Sequence, residues 1–346
     1  MQYMVSELLP RDKRMQDKLD ALLLQEGIRR DENLTYIAGI FDENYQLLAA
    51  GGYFRNTLRS LVVDSSRQGE GLMAQIVSHL TAQALAEGYG HLFLYTKCEN
   101  MGIFSDLGFY EVARIPNTLV LMENRRQGFA SFLENLAPYK KEGDIAALVM
   151  NCNPFTLGHR YLIERTAAEN TWVHLFVVSE DESLVPFADR FQLVKEGTSD
   201  LKNVILHQTG SYMISTAVFP SYFLKEEEAA IEIQAKLDIE IFKQIAKILG
   251  IQKRYVGEEP FSLVTDIYNR VMGESLADSN ITQTVIPRKE EGGTAISASR
   301  VRQLLCEGKL EAIKELVPQS TFAYFKTPAG EETIKAIQKS EHVVHY

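Results

Sequence analysis

Thr156, Gly158 and His159 follow directly on an apolar run, Ile145 to Met150, and a turn at Asn153-Pro154-Phe155. A strand that ends in a turn and continues into a helix points backbone N–H groups and the positive end of the helix dipole at the carboxyl edge of a sheet, where phosphates bind. Thr156 and His159 are three residues apart, so the first helical turn can bring both side chains to one anion. Gly158 lets its backbone come close. A second such start is Ile296-Ser297-Ala298-Ser299-Arg300-Val301-Arg302. Two hydroxyls and the N–H groups of a helix start, followed one turn later by a guanidinium, make a clamp for the β- and γ-phosphates of a nucleotide. Arg302 shares a face with Ser299, and Arg300 has the reach for the same site. A third anion-binding candidate is the turn Ser65-Ser66-Arg67-Gln68-Gly69-Glu70-Gly71, which leads into another helix.

Taken singly, each of these segments also reads as an ordinary helix cap or turn. Their order is more specific, because the segments at 156 and 297 each open a helix after an apolar strand. Gly257-Glu258-Glu259-Pro260 ends a further strand, where a ligand at the sheet edge would meet the carboxylates through its ribose or base. Gly292-Gly293-Thr294 reads as a loop able to close on substrate. Arg190 and Lys195 lie on a helix that faces either the phosphates or solvent. Cys152 reads as a small buried filler rather than a nucleophile, and His207 as either a structural residue or one that supports a ligand contact from behind.

The elements that must position these groups divide near residue 140, where Asn135-Leu-Ala-Pro138-Tyr-Lys-Lys-Glu-Gly143-Asp reads as a surface linker between apolar segments. We expect one domain over 1–140 and a second over 141–346. In the first, the pattern predicts a helix from Met15 to Gln25, a hairpin of Ile37–Phe41 and Leu47–Tyr53, and a strand Leu58–Val63. A helix Leu72–Ala86, a strand His91–Tyr95, a short helix Asn100–Leu107 and a strand Phe109–Ile115 complete a mixed sheet. The second half alternates strand and helix, as a parallel sheet with crossover helices does. Its predicted strands are Ile145–Met150, Val173–Val178, Val204–His207, Arg254–Val256 and Thr282–Ile286. Its helices are His159–Glu169, one around Arg190–Lys195, Glu226–Leu249, Phe261–Met272 and Ser299–Glu307. The fold class is therefore α/β.

Composition narrows the function. The 346 residues carry 46 acidic and 36 basic side chains, a net charge of −10, and neither side of residue 140 is basic. Such a chain is repelled by nucleic acid and by anionic lipid, so neither is an expected partner. Three cysteines without CxxC spacing or a histidine cluster argue against a disulfide framework and a structural zinc site, and no protein-held metal is expected. The chain has no signal-peptide-like start and no apolar run of the ~20 residues that span a bilayer. The expected location is the cytoplasm.

Thr156-Leu157-Gly158-His159 resembles the (H/T)xGH signature of the nucleotidylyltransferase superfamily, and Ser297, Ser299 and Arg302 match its ISxSxxR pattern. The resemblance implies a Rossmann-like domain that binds ATP with Mg²⁺ on its phosphates. His159, Thr156 and Arg302 would be catalytic. Asn153, Phe155, Gly158, Gly257, Glu258, Ser297, Ser299 and Arg300 would border the nucleotide. Residues 36–115 resemble the GNAT acetyltransferase fold, whose (R/Q)xxGx(G/A) loop holds coenzyme A pyrophosphate. Gly69 and Gly71 match its glycines; Ser66 replaces its Arg or Gln, with Arg67 adjacent. Phe104 stands where many GNAT members have a tyrosine that protonates the departing thiolate. An accepting thiol needs no such acid, so the domain would receive an acyl group rather than donate one.

With Phe219-Pro-Ser-Tyr-Phe-Leu-Lys225 and Val256-Gly-Glu-Glu-Pro-Phe261, the whole chain resembles the citrate lyase ligase family. That resemblance implies activation of acetate by ATP and acetylation of a phosphoribosyl-dephospho-CoA thiol on the acyl-carrier subunit of citrate lyase, releasing AMP and pyrophosphate. Lys225 and Tyr222 are candidates for the carboxylate pocket. Two other readings stand beside it: a nucleotidylyltransferase of pantetheine or mononucleotide cofactor synthesis, and a non-catalytic sensor of ATP or acetyl-CoA.

Overall fold

The computed structural model describes residues 4–31, 33–179, 183–213, 227–258, 263–291 and 294–340. The proposed carboxylate candidates Tyr222 and Lys225, the glycines of the 292–294 loop, Glu259 and Pro260 lie outside these residues. The chain forms two compact units, one of residues 1–132 with 219–240, the other of 133–218 with 241–346.

Within the first unit the elements are β1 (Val5–Glu7), α1 (Lys13–Gln25), β2 (Tyr36–Phe41), β3 (Leu47–Phe54), β4 (Thr57–Val63), α2 (Leu72–Ala86), β5 (Phe93–Thr96), α3 (Met101–Asp106), β6 (Tyr110–Ile115) and β7 (Leu119–Glu123). Among the described residues these strands make a seven-stranded mixed sheet in the order β1-β2-β3-β4-β5-β7-β6. Alternation of side chains sorts the strand residues to two faces. Ile37, Leu47, Ala50 and Val62 pack with Leu19, Leu22 and Leu23 of α1. Ala38, Ile40, Leu48 and Ala49 pack with Leu72, Ile76, Val77 and Leu80 of α2. The parallel pair β4 and β5 is joined only at Thr57–Phe93 and Leu58–Leu94. Beyond that point each strand keeps its outer neighbour alone, so the sheet parts at the end from which the Ser65–Gly71 turn leaves. Strands β1 and β7 were not anticipated; β1 is three residues long, too short to show a period.

Helix α4 (Gly128–Leu136) leads into the second unit, which holds β8 (Ile145–Met150), α5 (Leu157–Glu169), β9 (Trp172–Val177), α6 (Phe187–Gly197), β10 (Val204–Gln208), the last part of α7 (Glu227–Leu249), β11 (Lys253–Gly257), α8 (Leu263–Leu276) and β12 (Thr282–Ile286). Its sheet is parallel throughout, in the order β10-β9-β8-β11-β12. The chain moves outward from β8 through β9 to β10, then returns to the other side of β8 for β11 and β12. That reversal is a topological switch point, where α/β sheets bind ligands beyond the carboxyl ends of their strands. After β12 a narrow antiparallel pair, β13 (Glu290–Glu291) and β14 (Thr294–Ala295), precedes α9 (Ala298–Cys306), α10 (Gln319–Tyr324) and α11 (Pro328–Lys339). A separate core of Val301, Leu305, Leu316, Phe322, Phe325 and Ile337 holds this C-terminal part together. Helices α10 and α11 were not anticipated from the sequence. The mixed sheet in one unit and the parallel sheet in the other are the α/β classes expected.

Candidate active site

At the switch point the carboxyl ends of β8, β11 and β12 and the start of α9 enclose a cavity of about 400 Å³, within the range of small-molecule sites. Asn153, Thr156, Gly158, His159, Gly257, Glu258, Ser297, Ser299 and Arg302 all line it. Two segments 149 residues apart are tied directly, because Arg302 Nη1 donates to the Asn153 carbonyl oxygen at 2.6 Å.

Thr156 is the N-cap of α5. Its Oγ1 accepts from the His159 N–H at 3.3 Å, while His159 Nδ1 accepts from the Thr156 N–H at 3.1 Å. This reciprocal capping fixes the imidazole through two partners on one turn. A ring nitrogen that accepts carries no proton, so the network assigns the neutral ring's proton to Nε2. Burial, with the charges of Arg288 and Arg302 adding to it, lowers the His159 pKa to about 4. The ring is therefore a neutral donor at neutral pH. Gly158 is required by a close approach, since a Cβ there would sit 2.7 Å from the Ile296 carbonyl oxygen. The two phosphate-binding segments are in contact through that glycine.

Ser297 caps α9, its Oγ accepting from the Arg300 N–H at 3.1 Å. Asn153 is 4% exposed. Its side-chain oxygen accepts from the Val185 N–H at 3.0 Å, yet its amide nitrogen has no hydrogen-bond partner among the described residues. A buried donor left unmet at a cavity wall favours a ligand acceptor there. Glu258 is exposed and is the one carboxylate among the described lining residues. No group of three or more His, Cys, Asp or Glu side chains is placed to hold a metal among the described residues.

Several expected contacts lie elsewhere. Phe155 is fully buried, stacks behind His159 at 6.1 Å and packs against Gly197, away from the cavity lining. The apolar ring belongs to the core that backs the histidine. Arg300 is also off the lining. Arg302 does lie on the lining, but it is fully buried and binds Ser299 Oγ at 3.1 Å as well as Asn153, so it ties the two segments together. Arg190 is a buried brace, donating to the Asn151, Val178 and Val185 carbonyl oxygens, and Lys195 is exposed away from the site. Burial raises the Cys152 thiol to about 12, which leaves it protonated and inert. The sequence reading missed Arg288, Lys289, Tyr268 and Asn269, all of which line the cavity. The basic pair just beyond the last apolar strand was the available signal for the first two.

Gly69 and Gly71 sit in the first unit with φ of +85° and +79°, and a Cβ at either would meet nothing within 4 Å. Gly71 is the N-cap of α2, so no N-cap side chain claims the first N–H groups of that helix. Arg67 pairs with Glu70 at 3.3 Å on the surface. Ser66, standing where the acetyltransferase loop has Arg or Gln, binds Asp64 at 2.7 Å. Phe104 is buried in the core, so no acid occupies that position.

The sequence comparisons agree with one another. A family model described as the citrate lyase ligase C-terminal domain matches residues 145–325. The citrate (pro-3S)-lyase ligase of Klebsiella pneumoniae is 37% identical over 330 residues, covering 94% of this chain and 96% of that protein. Among solved structures, the ribosomal-protein-S18-alanine N-acetyltransferase of Escherichia coli covers 35% of this chain and 92% of its own at 16% identity and a TM-score of 0.28. A structure assigned as a nicotinate-nucleotide adenylyltransferase of Vibrio parahaemolyticus covers 57% of this chain and 98% of its own, at 16% identity and a TM-score of 0.36. Identity at that level over nearly the full length, with the family match across the parallel-sheet unit, places the chain in the citrate lyase ligase family, enzymes that join an acid to a thiol.

Proposed function

We propose that the chain activates acetate as acetyl-AMP in the second unit and passes the acetyl group to the phosphoribosyl-dephospho-CoA thiol of a citrate lyase acyl-carrier subunit presented by the first. The proposed division of labour is residues 141–346 for activation and 1–140 for thiol binding, with residues 219–240 grouping with the first unit. The observation that carries this reading is the convergence of the Asn153–His159 and Ser297–Arg302 segments on one cavity at the switch point of a parallel sheet.

An acetate oxygen attacks the α-phosphorus of ATP, forming the acyl–phosphate bond as the bond to pyrophosphate breaks. Neutral His159 donates from Nε2 to a phosphate oxygen and stabilises the charge that develops there. Thr156 holds the ring in that tautomer. The α9 start offers the Ser299 hydroxyl and backbone N–H groups to the leaving phosphates. Asn153 Nδ2 supplies a further donor at the cavity wall. Arg302 holds the two segments in register. Mg²⁺ arriving with the nucleotide would neutralise phosphate charge, and Glu258 is the described lining carboxylate that would help to hold it. In the second step the thiol gives up its proton, its sulfur attacks the acetyl carbonyl, and AMP leaves. The unclaimed N–H groups at Gly71 and the parted strands β4 and β5 give the pyrophosphate and pantetheine arm of the carrier a place to lie.

The test is to incubate the protein with ATP, Mg²⁺ and a panel of short carboxylates. AMP should accumulate with acetate only when deacetylated citrate lyase is added. Formation of a dinucleotide without acetate would favour a nucleotidylyltransferase of cofactor synthesis. Absence of any ATP turnover would leave the sensor reading.

A further inference from the structure

The paired backbone between β12 and α9 places a cation opposite Ser297 that neither phosphate-binding segment contains. Strand β13 runs antiparallel to β14, with Glu290 opposite Ala295 and Glu291 opposite Thr294. The Ile296 N–H continues the ladder onto the Lys289 carbonyl oxygen at 3.0 Å. The same register carried one step further sets Arg288 across from Ser297, the N-cap of α9, and both residues line the cavity. Arg288 is half-buried and steadied through Nε, which donates to the Glu258 carbonyl oxygen at 2.8 Å. Arg302, by contrast, is fully buried and spent on Asn153 and Ser299.

We propose that Arg288 is the guanidinium that contacts the β- and γ-phosphates of ATP, and that Arg302 is a positioning residue acting through Asn153 and Ser299. The assignment rests on the nucleotide-site reading above. Its physical basis is access. A guanidinium at the mouth of a cavity can change partners when a polyphosphate arrives, whereas one sealed between two chain segments cannot move without breaking them. The influence of Arg288 on His159, whose protonation it disfavours, fits a charge close to the same anion position.

Binding of ATP and of AMP to the full chain, measured by calorimetry with Mg²⁺ present, separates the alternatives. Arg288→Gln should weaken ATP binding about 10- to 100-fold, the range for losing a charge-assisted hydrogen bond to a phosphate, while AMP, which lacks those phosphates, changes less than about twofold. Arg288→Lys should recover part of the ATP affinity, and far-ultraviolet circular dichroism should be unchanged in both. Equal ATP affinity in Arg288→Gln and wild type, or equal loss for ATP and AMP, overturns the assignment while leaving the nucleotide site in place. A wild-type chain that binds neither nucleotide overturns the nucleotide site itself, and this assignment with it.

Discussion

His159 and Thr156 act as one unit because each satisfies the other's backbone N–H. Removing His159 takes away a preorganised donor, so His159→Ala should lower acetate-dependent ATP–pyrophosphate exchange by about 10²–10³. A near-normal exchange rate in that variant would remove the histidine from the chemistry. Thr156→Ala keeps the backbone N–H on Nδ1 but removes the hydroxyl that lies 2.9 Å from the same nitrogen, so the imidazole stays in place and is held less firmly. It should cost about 1 kcal/mol of stability as a lost N-cap and reduce exchange as well, whereas Thr156→Ser retains both. Denaturant unfolding and the exchange assay read the two effects separately. Gly158→Ala tests the contact between segments, since the added Cβ would meet the Ile296 carbonyl at 2.7 Å. Relieving that contact must shift one segment, and a misplacement of about 1 Å in a reacting site costs about 10² in rate; a variant with wild-type exchange would show that the segments need not touch.

Strands β9 and β10 carry a buried pair, His174 Nδ1 against His207 Nε2 at 2.8 Å, with Phe176 stacked on His207. Burial lowers both, His174 to about 4 and His207 to about 3. The unfolded rings titrate near 6.5, so between that pH and the folded values the unfolded chain binds more protons and stability falls as pH falls. The melting temperature should therefore drop steadily from about pH 6.5 to pH 4, and His207→Gln should flatten that slope; an unchanged slope would place the acid sensitivity elsewhere. The reading of His207 as structural came from its place at a strand end, and its partner His174 lay 33 residues away, beyond any local pattern. The same limit explains the rest. Strand β8 was legible because it is apolar throughout, and α2 because its capping turn and period are both local. The brace role of Arg190 and the burial of Arg302 depend on carbonyl groups from other segments, which spacing along the chain does not reveal. Arg288 was missed because its relation to Ser297 arises from a register across β13 and β14, whose two-residue strands carry no periodic signal.

At the scale of the whole molecule, a chain with a net charge of −10 is proposed to handle two phosphate-rich ligands, and the structure answers with local donors rather than a basic surface. Each unit has its own core, and each is proposed to use its own helix start for an anion, so the two half-reactions should be separable by mutation. In the parallel-sheet unit, His159→Ala should lower acylation driven by ATP by the same factor of about 10²–10³ yet still transfer acetyl from chemically prepared acetyl-AMP to the carrier thiol, because the donor it lacks acts before the adenylate exists. In the mixed-sheet unit, a Gly69→Ala and Gly71→Ala double substitution strains two residues held at positive φ and so disturbs the turn that starts α2. It should leave ATP–pyrophosphate exchange untouched and raise the KM for the carrier by about tenfold, the equivalent of one charge-assisted hydrogen bond of about 1.5 kcal/mol. Loss of exchange in the glycine variant, or failure of the histidine variant to use acetyl-AMP, would mean that the two sites work as one and that activation and transfer are not divided between the units.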